Sequence, residues 1–214
     1  MSLQPAPRAD GADLSALAAR VITQARHADR FLLGIVGAPG SGKSTLAQAL
    51  ADEVGSDAIA VSMDGFHLAQ QVIDRLGRAS RKGAPDTFDA PGFVAAVRRL
   101  REGGTDPVYL PEFRREIEEP VAGAVAIESR HRVVIVEGNY LLLRRDEWAR
   151  LGGLFHATWF IDPDEETRRE RLLARHLFFG KSLEAARAAT FGSDEHNARL
   201  IRSTMETADL VLVW

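Results

Sequence analysis

Hydrophobic positions along the chain follow two periods. The run Phe31-Leu32-Leu33-Gly34-Ile35-Val36 is apolar throughout and ends at a glycine, which predicts a buried strand. Val133-Val134-Ile135-Val136 is the clearest run of the same kind, and Ile59-Ala60-Val61, Trp159-Phe160-Ile161 and Leu210-Val211-Leu212-Val213 complete the set. Between these runs the apolar residues recur at helical spacing. Leu14, Leu17, Ala18, Val21 and Ile22 predict an amphipathic helix within 13–28, and Lys43 to Glu53 a second. Phe93, Val94, Val97 and Leu100 share one face of a third, which starts at Asp89-Ala90-Pro91. An arginine-rich helix is expected from Asp164 to about Phe179. Strands alternating with helices imply right-handed crossovers and a parallel sheet covered on both faces.

The intervening polar stretches refine this. Residues 68–90 are rich in Arg, Gly and Asp and contain the turn-like Lys82-Gly83-Ala84-Pro85. Gly103 to Pro120 carries three prolines and is expected to be an irregular excursion off the sheet. The lead, residues 1–10, has no apolar segment of the kind a signal peptide needs and is expected to be flexible. With neither an internal repeat nor a low-complexity linker, residues 1–214 read as one domain with insertions.

Composition narrows the function classes. The net charge is −3 and no basic block occurs, so neither nucleic acid nor an anionic membrane is an expected partner. No apolar run reaches the roughly 20 residues that span a bilayer. The absence of cysteine excludes disulfides, thiolate catalysis and cysteine-zinc sites, and suits a cytoplasmic protein.

Chemistry concentrates in three places. Gly37-Ala38-Pro39-Gly40-Ser41-Gly42-Lys43-Ser44 matches G-x-x-x-x-G-K-[ST] at every fixed position, with a strand before it and a helix after. The glycines let backbone N–H groups turn toward phosphate oxygens, and the start of the helix at Lys43, Ser44 and Thr45 adds its positive end. Lys43 is expected on the β- and γ-phosphates and Ser44 on magnesium. The second place is Asp64, just past a strand in Ser62-Met63-Asp64-Gly65-Phe66-His67. The third is Glu137, just past another in Glu137-Gly138-Asn139-Tyr140. In a parallel sheet both face the ligand crevice at the carboxyl ends of the strands. Asp64 is assigned to the proton of an attacking hydroxyl and Glu137 to magnesium or substrate, with the two roles open to exchange. Asp-Gly is also common turn chemistry, which is the plain alternative for Asp64.

These segments, with Arg81-Lys82-Gly83-Ala84-Pro85-Asp86-Thr87-Phe88-Asp89, occur in the order that resembles the P-loop kinases that include uridine kinase, phosphoribulokinase and bacterial-type pantothenate kinase. Within that group the chain is most similar to a bacterial branch described as fructose transport system kinases. The resemblance runs from about Phe31 to Val213. It implies the three-layer α/β P-loop NTPase fold, with a parallel five-stranded sheet in the order 2-3-1-4-5, helices on both faces and a helical lid at about 164–195. It further implies ATP and Mg2+, with transfer of a phosphoryl group to a hydroxyl of a small acceptor. The aspartate matching Asp64 is the base and the acid matching Glu137 lies close by. A lid arginine, Arg171 or Arg175, closes over the phosphates. The stretch matching Arg81, Lys82 and Gly83 lines the acceptor side, where Phe66, Asn139 and Tyr140 are also placed. One position departs from the pattern. Related sequences often have an aspartate before the arginine in the segment reading Pro111-Glu112-Phe113-Arg114-Arg115, and Arg114 stands there, so no acceptor contact is carried over to this loop.

Weaker signals stay open. Arg168, Arg169, Arg171 and Arg175 alternate with Glu165, Glu166 and Glu170, which by itself describes i,i+4 pairs on a solvated face. His67 suits substrate contact and crevice packing equally. His27, His131, His156 and His176 read as surface or structural residues, and Trp148, Trp159 and Trp214 as packing. Asp194, Asn197 and Arg199 fit either the nucleotide base or a helix start. A GTPase is disfavoured because Asn-Lys-x-Asp is absent, whereas a catalytically silent nucleotide-binding regulator and a nucleotide-accepting kinase remain as rivals. The acceptor, the choice of ATP over GTP and the state of assembly, monomer or homodimer, are not written in these residues.

Overall fold

Each apolar run becomes a strand because both faces of the sheet are covered. The computed structural model describes residues 5–213, so Met1 to Gln4 of the lead and Trp214 lie outside the described residues. In chain order the elements are β1 (Arg8–Asp10), α1 (Leu14–Ala25), β2 (Phe31–Gly37), α2 (Lys43–Val54), β3 (Ala58–Ser62), α3 (Gln70–Arg75) and α4 (Ala90–Glu102). They continue with β4 (Val108–Arg114), β5 (Glu119–Ile127), β6 (Val133–Gly138), β7 (Ala157–Asp162), α5 (Glu165–Phe178), α6 (Leu183–Phe191), α7 (Ser193–Arg202) and β8 (Leu210–Val213). The main sheet is parallel throughout, in the order β1-β8-β7-β2-β6-β3. Without β1 this is the expected 2-3-1-4-5 arrangement.

The sixth strand corrects the expectation of a flexible lead. Arg8–Asp10 pairs with Val211, Leu212 and Val213 of β8 and covers an edge that would otherwise expose unpaired backbone groups. Three residues are too few for a period to register in the sequence.

Side chains along β2 alternate between two cores. Phe31, Leu33 and Ile35 meet Leu17, Ala18 and Val21 of α1 and Leu46, Ala47 and Leu50 of α2. Leu32 and Val36 face the opposite layer, with Phe93, Val97 and Leu100 of α4 and Ile201 of α7. Helix starts are fixed by side chains: Asp13 accepts from the Ala16 amide at 3.0 Å, Asp89 from Gly92 at 2.9 Å and Asp164 from Thr167 at 2.9 Å. Trp148 and Trp159 are buried, as expected for packing residues. Among the described residues no helix is long and apolar enough to cross a membrane.

Gly103 to Pro120 is not irregular. β4 and β5 pair antiparallel as a separate two-stranded sheet, with the register broken between Leu110 and Glu112, where Pro111 cannot donate to the ladder. Val108, Leu110 and Ile127 anchor this hairpin in the core. Its closest approach is at Gly65, where a β-carbon would stand 2.1 Å from the Pro111 carbonyl oxygen. Only glycine allows the hairpin to press against the turn that carries Asp64.

Arg168 is likewise not on a solvated face. Its side chain is 0% exposed. Nη1 donates to the Pro39 carbonyl at 3.0 Å, Nη2 to Glu195 at 2.8 Å and to Glu165 at 2.9 Å, and Nε to Glu165 at 3.0 Å. One guanidinium therefore ties α5 and α7 to the loop between β2 and α2. Breaking a buried ion pair strands its partner charge, so Arg168→Met is expected to cost about 3 kcal/mol. In a chain of this size that lowers the melting temperature by about 6–12 °C in a thermal scan. An unchanged midpoint would mean that the pair contributes no net stability.

Candidate active site

The loop leaving β2 turns sharply because Gly40 and Gly42 adopt φ values of 85° and 89°. These left-handed conformations are strained for any side chain, and a β-carbon at Gly40 would also meet the Arg168 carbonyl oxygen at 2.5 Å. α2 then begins at Lys43 with no side-chain cap, in contrast to α1, α4 and α5. Its leading amides and the positive end of its dipole are left for an anion. Gly37, Ala38, Pro39, Gly40, Ser41, Gly42, Lys43, Ser44 and Thr45 thus form one continuous cradle.

Lys43 is 7% exposed, with Nζ 4.0 Å from Glu137 Oε2. Burial pushes its ammonium below the usual lysine range, while Glu137 and Asp64 pull it back up. The Ser44 hydroxyl donates to Glu137 Oε1 at 2.9 Å. Glu137 is 4% exposed, and its Oε2 is buried without a hydrogen-bond partner among the described residues. Burial raises the Glu137 carboxyl above the ordinary range, against the opposing charge of Lys43.

Strand register brings the second carboxylate alongside. Ser62 pairs with Glu137 across β3 and β6, and the Ser62 hydroxyl accepts from the Asp64 amide at 3.1 Å, fixing the turn two residues on. Burial alone would raise Asp64, but His67, Lys43, Arg115 and Arg175 around it outweigh that and hold it below the usual carboxylate range. The two acids are shifted in opposite directions, Asp64 toward its charged form and Glu137 toward its neutral one.

A cavity of about 390 Å³ joins several of the expected residues: Lys43, Asp64, His67, Lys82, Asn139 and Arg175 all line it, with Pro39 at the phosphate-loop end. Asn139 Oδ1 is buried there and makes no hydrogen bond among the described residues. His67 sits between Phe88 and Phe113, with ring centroids at 3.9 and 4.8 Å, and its Nδ1 lies 2.8 Å from the Asp64 carbonyl, so packing and cavity lining coexist. Burial, first of all, lowers its protonation below the ordinary histidine range.

Other expected residues stand elsewhere. Glu137 and Ser44 open onto a smaller neighbouring cavity of about 160 Å³. Phe66 packs on Phe93 at 5.1 Å rather than lining the cleft. Tyr140 is buried and donates its hydroxyl to the Gly83 carbonyl at 2.6 Å, so it braces the Lys82 loop from behind. Arg81 pairs with Asp86 and lines an adjoining cavity of about 680 Å³, not the one holding Asp64. Arg171 is exposed, with Nη1 3.8 Å from the position a Gly42 β-carbon would take, at the rim of the phosphate loop.

The residue that sequence reasoning missed is Arg115. Its Nη2 donates to Asp64 Oδ2 at 3.1 Å. His176, read as surface or structural, lines the cavity and pairs with Asp194 at 2.7 Å, and Asn197 lines it as well. Gly65 signalled that some backbone approaches Asp64, but no local pattern names the approaching segment.

A family model described as an AAA domain matches residues 32–191, which includes the cradle, both carboxylates and α5. A Schizosaccharomyces pombe protein provisionally named a uridine kinase is 33% identical over 204 residues, covering 90% of this chain and 87% of that one. The chain belongs to the P-loop kinase family. A Silicibacter structure provisionally described as a fructose transport system kinase superposes on this kinase with a TM-score of 0.84 at 37% identity, over 92% of this chain and 98% of that chain. A Saccharomyces cerevisiae structure described as a P-loop-containing kinase with a circular permutation is a likeness of fold, with a TM-score of 0.80 at 20% identity over 94% of this chain and 98% of that one. This kinase is therefore an ATP-dependent enzyme.

Removing the buried ammonium takes one full charge from the cradle. Lys43→Ala is expected to weaken ATP binding by at least about tenfold, the scale of one charge-assisted hydrogen bond. Titration with a fluorescent ATP analogue reads this directly. Unaltered affinity would detach Lys43 from the triphosphate.

Proposed function

We propose that this kinase transfers the γ-phosphoryl group of ATP to a hydroxyl of a small metabolite positioned by Asp64. The observation that carries the reading is the single cavity in which the Asp64 carboxylate, the Lys43 ammonium and the Arg175 guanidinium converge. Phosphoryl transfer requires little beyond positioning and neutralisation of charge. Asp64 orients the hydroxyl and takes its proton as the oxygen–phosphorus bond forms and the bond to ADP breaks. Lys43, Arg175 and the α2 amides offset charge on the phosphoryl oxygens. Arg175 suits this role because it lines the cavity and makes no ion pair among the described residues.

Magnesium fits the residues present. Glu137 Oε2 is a buried, unpartnered oxygen beside Ser44, and hard oxygen donors of this kind suit a cation that also takes phosphate oxygens. Ser44 and Glu137 would hold it, and when bound it would neutralise charge on the triphosphate. A cytoplasmic location, with a small molecule as partner and no nucleic acid, accompanies this reading.

ADP release with Mg-ATP across sugars, nucleosides and hydroxy acids tests the proposal, with Asp64→Asn as its control. Loss of a positioned base is expected to lower turnover by about 10²–10⁴-fold and to leave ATP affinity within about twofold. Wild-type turnover retained in Asp64→Asn would remove Asp64 from the chemistry. A catalytically silent regulator would bind ATP and release no ADP with any acceptor. The pH profile follows from the sign of the shift. Asp64 is held below its ordinary value, so it stays ionised as pH falls, and the acid limb of kcat/KM is expected below about 3.9, the unperturbed aspartate value. A limb near neutrality would point instead to a group with a raised value, such as Glu137.

A further inference from the structure

Arg115 follows β4 and enters the cleft from the hairpin, an element the phosphate chemistry does not use. Phe113 and Phe179 flank its guanidinium, with the central carbon 5.8 and 5.9 Å from their ring centroids. One amino group reaches Asp64, the single side-chain partner Arg115 has among the described residues. Arginine presents five donors in a planar fork, so most of this fork is unspent. Lys82 stands on the same aromatic ring, its Nζ 5.4 Å from the Phe113 centroid. It donates to the Glu118 carbonyl at 3.0 Å and pairs with the exposed Glu118 carboxylate at 3.4 Å, a surface pair that contributes little and leaves one of its three donors unspent. Lys181 lines the same space. Asp194, on the opposite wall, is taken by His176. Asp64 faces Arg115 and Arg175, while Glu137 faces Lys43. Five cations, Lys43, Lys82, Arg115, Arg175 and Lys181, line this cavity against the carboxylates of Asp64, Glu118 and Asp194, and the triphosphate end accounts only for Lys43 and Arg175.

We propose that Arg115 and Lys82 form an anion subsite, and that the acceptor is a hydroxylated metabolite bearing a carboxylate or phosphate group. This rests on the phosphotransfer reading above and narrows its substrate. The planar fork of Arg115 matches either anion in bidentate fashion, with Lys82, at the same Phe113 ring, adding a point charge. The same contact sets specificity through the base. A neutral alcohol leaves Arg115 on Asp64, where it competes for the oxygen that must accept the proton. An anionic acceptor draws the guanidinium away and releases that oxygen.

Matched pairs test this: D-glycerate against glycerol, and fructose 6-phosphate against fructose, each with Mg-ATP and an ADP-release readout. Turnover of an anionic member over its neutral partner is expected, and the pair that responds separates carboxylate from phosphate. Arg115→Ala is expected to raise the KM of that acceptor by about 10–100-fold, the worth of a charge-assisted bidentate contact. The KM of ATP should stay within about twofold, and Arg115→Lys should recover part of the loss. Equal turnover of the neutral members, or a rise in the KM of ATP in place of that of the acceptor, would overturn the subsite. The second result would assign Arg115 to the γ-phosphate. If no compound is phosphorylated, the phosphotransfer reading fails by itself, and the subsite is judged by calorimetric titration of inorganic phosphate and D-glycerate into the ADP-loaded protein. Binding lost in Arg115→Ala supports it, and binding that is absent or indifferent to Arg115 refutes it.

Discussion

The uncapped start of α2, wrapped by the Gly37–Gly42 turn, is the constraint around which the rest is arranged. A helix that begins without a side-chain acceptor leaves its leading amides for water or an anion, and here the loop geometry keeps that end open. Holding the geometry requires support from outside the loop. Arg168 gives it by donating to the Pro39 carbonyl from inside α5, while Glu165 and Glu195 neutralise the buried guanidinium. The lid helices are thereby joined to the phosphate site through one charged side chain rather than through apolar contact alone.

Around that site the balance of charge is set by desolvation. Lys43 and Glu137 are buried face to face, and each is pushed toward its neutral form. Asp64 is half-buried, and with several cations around it moves the other way. Two carboxylates near the ends of neighbouring strands are therefore shifted in opposite directions. The cause is their neighbours and not their position in the sheet.

The hairpin and the end of α5 meet near Asp64. Phe113 comes from β4 and Phe179 from the residue following α5, and Arg115 lies between them. The two aromatic rings partly desolvate the guanidinium, which strengthens its interaction with Asp64.

Much of this was legible in the sequence. Apolar runs at Phe31–Val36 and Val133–Val136 marked central strands because both faces of a parallel sheet are buried, and the phosphate loop declared itself because its glycine, lysine and serine spacing is dictated locally by backbone geometry. Asp64 and Glu137 followed, since strand ends in such a sheet share one edge. The remainder depended on contacts distant in sequence. β1 was too short to show a period, and the proline-rich stretch concealed a hairpin whose irregular register accommodates Pro111. Arg168 looked like a surface charge because its i,i+3 and i,i+4 neighbours are acidic, whereas its decisive partners are 129 and 27 residues away. Arg115 meets Asp64 across 51 residues, and Tyr140 and Arg81 turn away from the cleft to partners that no local pattern specifies. Backbone conformation and periodicity act over a few residues, so sequence alone fixes elements and the phosphate cradle. Which side chains face one another across the cleft is decided by packing, which brings distant segments to the same few ångströms.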